Sequence, residues 1–196
     1  MTMARTPELL DLQDGFRLRP VSKAILSSVM EAYVEDPESA KAALPWLRND
    51  RDITRQLSDM LHDLEHLSNA DRVHFWSIHD DSNSFIGLIG LGDEMQLIHS
   101  HYNLGYWVRK GFRQKGIASS SVDAVLGWLN SRGDTYRVEI TVHPRNIAGL
   151  ITAERIAAYL KLRIYELEEQ KARRTIAFGD CLLYTSDAAD EEDSVD

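Results

Sequence analysis

The residues best placed to do chemistry stand in a row: Arg113, Gln114, Lys115, Gly116, Ile117 and Ala118. They follow an alternating apolar stretch, Leu104 to Val108, and precede Val122, Val125, Leu126 and Leu129, which recur at helical spacing. A turn that opens a helix presents N–H groups no helical carbonyl can accept, and the helix dipole places about half a positive charge there. Main-chain donors so arranged can hold a pyrophosphate. Gly116 lets backbone and phosphate approach without a Cβ between them. Ala118 and Ser119 keep the first turn slim, while Arg113 and Lys115 add positive charge. The same residues also suit a plain surface turn ahead of a core helix. Nucleotide hydrolysis and a dinucleotide fold are both disfavoured, because the chain has no G-x-x-x-x-G-K-[ST] and no G-x-G-x-x-G after a strand.

The elements that must position this loop can be read in order. Phe16 to Val21 alternates apolar and basic residues, a short first strand. Ser22 is placed to cap a helix with apolar residues from Ile25 to Val34. Pro37 and Pro45 punctuate the next stretch. Asp52 caps an amphipathic helix with Ile53, Leu57, Met60, Leu61, Leu64 and Leu67 on one face. Strands are expected over Val73–His79, Ser84–Gly92 and Asn103–Arg109, then a helix over Ile117–Leu129. A strand over Arg137–Val142 and a helix over Ala148–Leu160 come next. Leu162–Leu167 and Thr175–Phe178 are weaker strand candidates. The expected class is a mixed α/β domain.

At 196 residues the chain suits one domain that buries roughly two-thirds of its unfolded surface. No apolar run reaches the ~18 residues of a membrane helix, and Met1 to Glu8 lacks the apolar core of a secretion signal. One cysteine excludes an intrachain disulfide and favours a reducing compartment, so the cytoplasm is the expected location. The formal charge is −9, with no basic excess for a nucleic-acid backbone. Six of the acids fall within Asp187 to Asp196, and the rest of the chain is near neutral. His62, Glu65 and His66 spell H-x-x-E-H, which is read as a solvated helix face rather than a zinc site, since no third ligand follows.

In combination these motifs resemble the GNAT-type N-acetyltransferases. Arg113, Gly116 and Ala118 match the Q/R-x-x-G-x-G/A signature whose amides cradle the coenzyme A pyrophosphate. Leu104, Gly105, Tyr106, Trp107 and Val108 are similar to the L-G-Y-W strand of the RimJ/RimL (ribosomal-protein N-acetyltransferase) branch. Phe16 to Pro20 resembles that branch's opening R-L-x-L-R-P. Leu44, Pro45, Trp46 and Leu47 resemble its P-W-L element near the substrate pocket. Val142 to Asn146 resembles a strand ending in an asparagine that contacts coenzyme A.

The resemblance covers roughly Phe16 to Arg155. It implies a central, mostly antiparallel sheet flanked by helices, with acetyl-CoA as cosubstrate and no metal. It implies an acyltransferase that moves acetyl directly onto a primary amine, either a protein N-terminus or a small molecule. Tyr106, Trp107, Val108, Arg113, Gln114, Lys115, Gly116, Ile117, Ala118, Ser119 and Asn146 are the implied coenzyme-binding residues, and Trp46 the substrate-binding one. Tyr106 and Trp107 must point to opposite faces of their strand, so only one can be core. Neither a membrane nor a nucleic acid is an expected partner; a homodimer is compatible.

The chain departs from the pattern at instructive places. Asn103 stands where relatives often carry an acid, and Gly149 where the branch often has a serine able to protonate the leaving thiolate. Glu94 is then the candidate base and Tyr159 the candidate acid. Those departures also admit an alternative, an acyl-CoA-binding module without turnover.

The final segment, 181–196, has a different character. CLLYTSDAAD resembles the translation of a transposon-based sequencing adapter, whose nucleotides TGT CTC TTA TAC ACA TCT read Cys, Leu, Leu, Tyr, Thr, Ser. The domain is accordingly expected to occupy residues 1–180, with 181–196 foreign to it; a solvated acidic tail is the other reading. A long sequencing read across the source locus is expected to show different codons after Asp180, and the same codons would refute the adapter origin.

Overall fold

The computed structural model describes residues 6–44, 46–70, 72–92, 101–132, 136, 138–142, 146–159, 163–166, 174–178 and 181–185; for 141 and from 159 onward it is described by its backbone alone. The chain forms two compact units, one of 1–93 with 105–134, the other of 94–104 with 135–196.

In the first unit, β1 (Leu10–Asp11) and β2 (Arg17–Pro20) pair antiparallel, followed by β3 (His74–His79) and β4 (Phe85–Gly92). The end of β5 (Tyr102–Val108) lies beside β4. The two backbones approach so closely that a Cβ on Gly87 would stand 2.2 Å from the carbonyl oxygen of Trp107. Glycine is required there by space. The helices are α1 (Leu26–Glu35), α2 (Pro37–Ala43), α3 (Ile53–Asn69) and α4 (Ile117–Ser131).

Each helix start has a local cause. Asp52 accepts the amide of Arg55 and opens α3, as its sequence position foretold. Ser22 accepts the amide of Ala24, capping the single 3-10 turn Lys23–Ile25 that leads into α1. Pro37, read as punctuation, instead occupies the first position of α2, where its missing N–H has no cost; Asp36 caps that helix through the amide of Ser39. Val29, Ala32, Ala40, Leu57, Leu61 and Trp107 belong to one buried cluster. Truncating Leu57 or Leu61, both fully buried, to alanine costs about 2–5 kcal/mol on the usual scale.

In the second unit the start of β5 runs parallel to β6 (Val138–Val142) at Tyr102↔Val138 and Asn103↔Glu139. The helix α5 (Ile147–Tyr159) comes next, then β7 (Arg163–Glu166), β8 (Arg174–Phe178) and β9 (Cys181–Thr185). β7 and β8 pair antiparallel, as do β8 and β9, while β9 runs parallel to β6. Antiparallel pairs thus dominate a mixed α/β fold with a central sheet flanked by helices, the expected class. β9 falls on the string that reads as adapter. Among the described residues no helix is long and apolar enough to cross a membrane.

Candidate functional site

β5 delivers the chain to the loop with Tyr106 and Trp107 on opposite faces. Trp107 is core, packed against Phe85 with ring centroids 6.3 Å apart, so only its backbone is available to a ligand. Tyr106 is half-buried on the other face, and burial pushes its phenol above the ordinary value; it stays protonated at neutral pH. Gly105 is exposed, with nothing within 4 Å of where a Cβ would stand.

One 3-10 turn, Lys110–Phe112, separates β5 from the loop. Gln114 then takes a φ of 63° and Gly116 a φ of 76°, both left-handed. For Gly116 the conformation, not crowding, demands glycine, since a Cβ there would meet nothing within 4 Å. Turning the chain twice this way gathers successive N–H groups into a concavity suited to an anion. Gly116 also stands at the N-cap of α4 and brings no side chain to occupy the first-turn donors. The first intrahelical bond is from Ser120 to the Gly116 carbonyl. Among the described residues, no acceptor engages the amides of Gln114, Lys115, Gly116, Ile117, Ala118 or Ser119. Gln114, Lys115 and Gly116 are exposed, whereas Ile117 is buried and fixes the helix start. Lys115 sits over the Phe112 ring with its nitrogen 4.9 Å from the centroid. Donors without a protein acceptor, open space at Gly116 and the charge of Lys115 all fit a diphosphate.

Two arginines hold the loop to the α1–α2 junction. Arg109 donates to both carboxylate oxygens of Glu35, one at 2.8 Å. Arg113 donates to Asp36 at 2.8 Å, to the Ser39 hydroxyl at 2.7 Å and to the Val108 carbonyl at 2.9 Å. The guanidinium expected to add charge for the phosphate is therefore committed elsewhere, and the Arg113 amide donates to the Lys110 carbonyl at 3.5 Å. The Arg109 hydrogen bond lowers the pKa of Glu35, and the Arg113 hydrogen bond lowers that of Asp36. A lowered carboxylate contributes above its unfolded value, near 4, and loses that contribution as pH falls through the folded one. The clamp is consequently constant across neutral pH. An open groove of about 630 Å³ beside it is lined by Ser27, Met30, Glu31, Val34, Glu35 and Arg109.

The remaining expected residues are scattered over both units. Trp46 is 43% exposed, next to buried Leu47. Asn146 accepts the amide of Gly149 at 2.9 Å and so caps α5. A Cβ on Gly149 would stand 2.6 Å from the Asn146 side-chain nitrogen and 2.8 Å from a Val142 methyl, which gives the absent serine a steric reason. Glu94 lies outside the described residues, and Tyr159 ends α5 with its side chain outside them. His62 and His66 are exposed, and Glu65 accepts the amide of Lys23 at 3.0 Å. Among the described residues no group of three or more His, Cys, Asp or Glu could hold a metal.

Residues 16–158 match the family model described as Acetyltransferase (GNAT) domain. No curated protein sequence matches the chain. Among solved structures, it is similar to RimL, a ribosomal L7/L12 alpha-N-protein acetyltransferase, in complex with coenzyme A, at TM-score 0.69 and 16% identity over 85% of this chain and 90% of that one. An acetyltransferase from Salmonella typhimurium that modifies the N-terminal serine of ribosomal protein L7/L12 aligns at TM-score 0.66 and 17% identity, over 84% and 90% of the two chains. RimJ from Mycobacterium smegmatis in complex with CoA-disulfide gives 0.62 and 20%, over 81% and 75%. At these identities the likeness is one of fold.

Alanine at Gly116 is expected to cost about 1–2 kcal/mol, the strain of a left-handed residue with a Cβ, and asparagine less. Urea denaturation measures this. Equal stability of the alanine variant would contradict the backbone requirement.

Proposed function

The chain belongs to the GNAT acetyltransferase family, and from that premise we propose that it is an acetyl-CoA-dependent N-acetyltransferase acting on a primary amine. The observation that carries the reading is the run of amides from Gln114 to Ser119 at the start of α4, which have no protein acceptor among the described residues. In this reading they hold the pyrophosphate, joined by Lys115, while the backbone of Gly105 to Val108 binds the pantetheine arm. Asn146 is a further coenzyme contact. The coenzyme supplies a thioester-activated acetyl group.

The acceptor nitrogen attacks the thioester carbonyl, the C–N bond forms and the C–S bond breaks. The nitrogen loses a proton to a base and the sulfur gains one from an acid. We assign Glu94 as that base and Tyr159 as that acid. The rest is proximity, with the loop and strand edge fixing one reactant against the other. The acceptor enters beside the first two helices and Trp46. A cytoplasmic enzyme of the RimJ/RimL type fits this chemistry.

A site with few bases favours acceptors that are already neutral. An α-amine with pKa near ~8 is about one-tenth neutral at pH 7, while a lysine near ~10.4 is neutral below about one part in a thousand. Thiol release from acetyl-CoA is thus expected with a higher kcat/KM on α-amine peptides than on lysine peptides, and the reverse ranking would contradict this choice of acceptor. Heat of coenzyme binding without thiol release on any amine would leave the binding-module alternative.

Glu94→Gln and Tyr159→Phe are each expected to lower kcat about 100-fold, the scale of a lost proton-transfer group. Steady-state kinetics with saturating acetyl-CoA checks this, and an unchanged kcat in either variant removes that residue's assignment.

A further inference from the structure

The α1–α2 junction sits at the negative end of a helix and is built from acids. Glu35 is the last residue of α1, Asp36 comes directly after it, and no basic residue stands in the last turn. Carboxylates at a helix C-terminus are unfavourable against the dipole unless cations meet them. Arg109 and Arg113 are those cations, reaching 74 and 77 residues back along the chain to Glu35 and Asp36. Glu31 adds a third carboxylate 4.0 Å from Arg109.

The two arginines flank the turn Lys110–Phe112 that leads into the loop. Arg113 leads directly into Gln114, the first of the two left-handed residues, and its donors go to Val108, Asp36 and Ser39. The planar fork of a guanidinium meets these acceptors with three separate nitrogens, Nε, Nη1 and Nη2; the three donors of an ammonium sit on one nitrogen and cannot span them. The left-handed Gln114 carries a strain of about 1–2 kcal/mol, which persists only while neighbouring contacts hold it.

We infer that Asp36, acting through Arg113, is a positioning residue for coenzyme binding, and that the Arg113 side chain is a strut for the loop and not a ligand of the phosphate. This deepens the proposed acetyl-CoA reading and rests on it. When the strut is released, Gln114 relaxes toward a commoner backbone conformation and the amides from Gln114 to Ser119 no longer converge.

The two roles for Arg113 predict opposite signs. Asp36→Asn keeps the side chain's size and its ability to cap α2, since asparagine caps as well as aspartate, but with its oxygen on Ser39 it turns an NH2 toward Arg113 and so removes both the charge and the acceptor that hold it. As a strut, Arg113 then loosens the loop, and coenzyme A binds about tenfold more weakly by calorimetry, the scale of one charge-assisted hydrogen bond. As a phosphate ligand in reserve, Arg113 is set free and binding tightens. Arg113→Lys keeps the positive charge and is expected to weaken binding as Asp36→Asn does. In steady-state kinetics the loss falls on KM for acetyl-CoA more than on kcat.

Equal or tighter binding by Asp36→Asn overturns the inference, as does wild-type affinity in Arg113→Lys. If Asp36→Asn does not fold, as judged by circular dichroism, Ser39→Ala carries the test. It removes one of the three bonds and is expected to weaken binding about threefold, and an unchanged affinity overturns the proposal. A wild-type chain that gives no heat with coenzyme A defeats the functional reading itself, a result distinct from all of these.

Discussion

Six successive backbone amides, from Gln114 to Ser119, are left by the fold with no acceptor among the described residues, and the rest of the site is arranged around them. They converge because Gln114 and Gly116 are both left-handed. They stay in place because Ile117, immediately after, is buried and anchors the first turn of α4. An ordinary N-cap side chain would have filled part of this array, and a glycine cap does not. The fold thus leaves open main-chain donors that other helices satisfy with a capping side chain, an array suited to an anionic ligand.

The fold was legible where the signal was local. The alternation of β2, β3 and β4 and the apolar spacing of α3 and α4 are patterns within a few residues, and the observed elements lie within a residue or two of expectation. α2 was not foreseen, because Pro37 reads as a stop until Asp36 before it is recognised as a cap and Ser39 as its partner. β1 has two residues and exists through its pairing with β2, so no periodicity could announce it.

The candidate site shows the same division. The Arg113–Ala118 loop was readable, since glycine, small residues and charge sit side by side. The commitment of Arg113 to Asp36 and Ser39 was not, for its partners lie on another element far back in the chain. The absent serine at position 149 looked like a loss of chemistry. The packing of Asn146 and Val142 against Gly149 supplies a steric cause instead. Trp107 resembles a binding residue in its motif, yet its indole is core and its backbone is what it can contribute.

The most direct measurement tracks backbone amide resonances of the isotope-labelled protein by NMR as coenzyme A is added. Large shifts concentrated at the amides from Gln114 to Ser119, saturating with the ligand, are what the account predicts. Resonances there that stay still while others move, or no shifts at any coenzyme concentration, would contradict it.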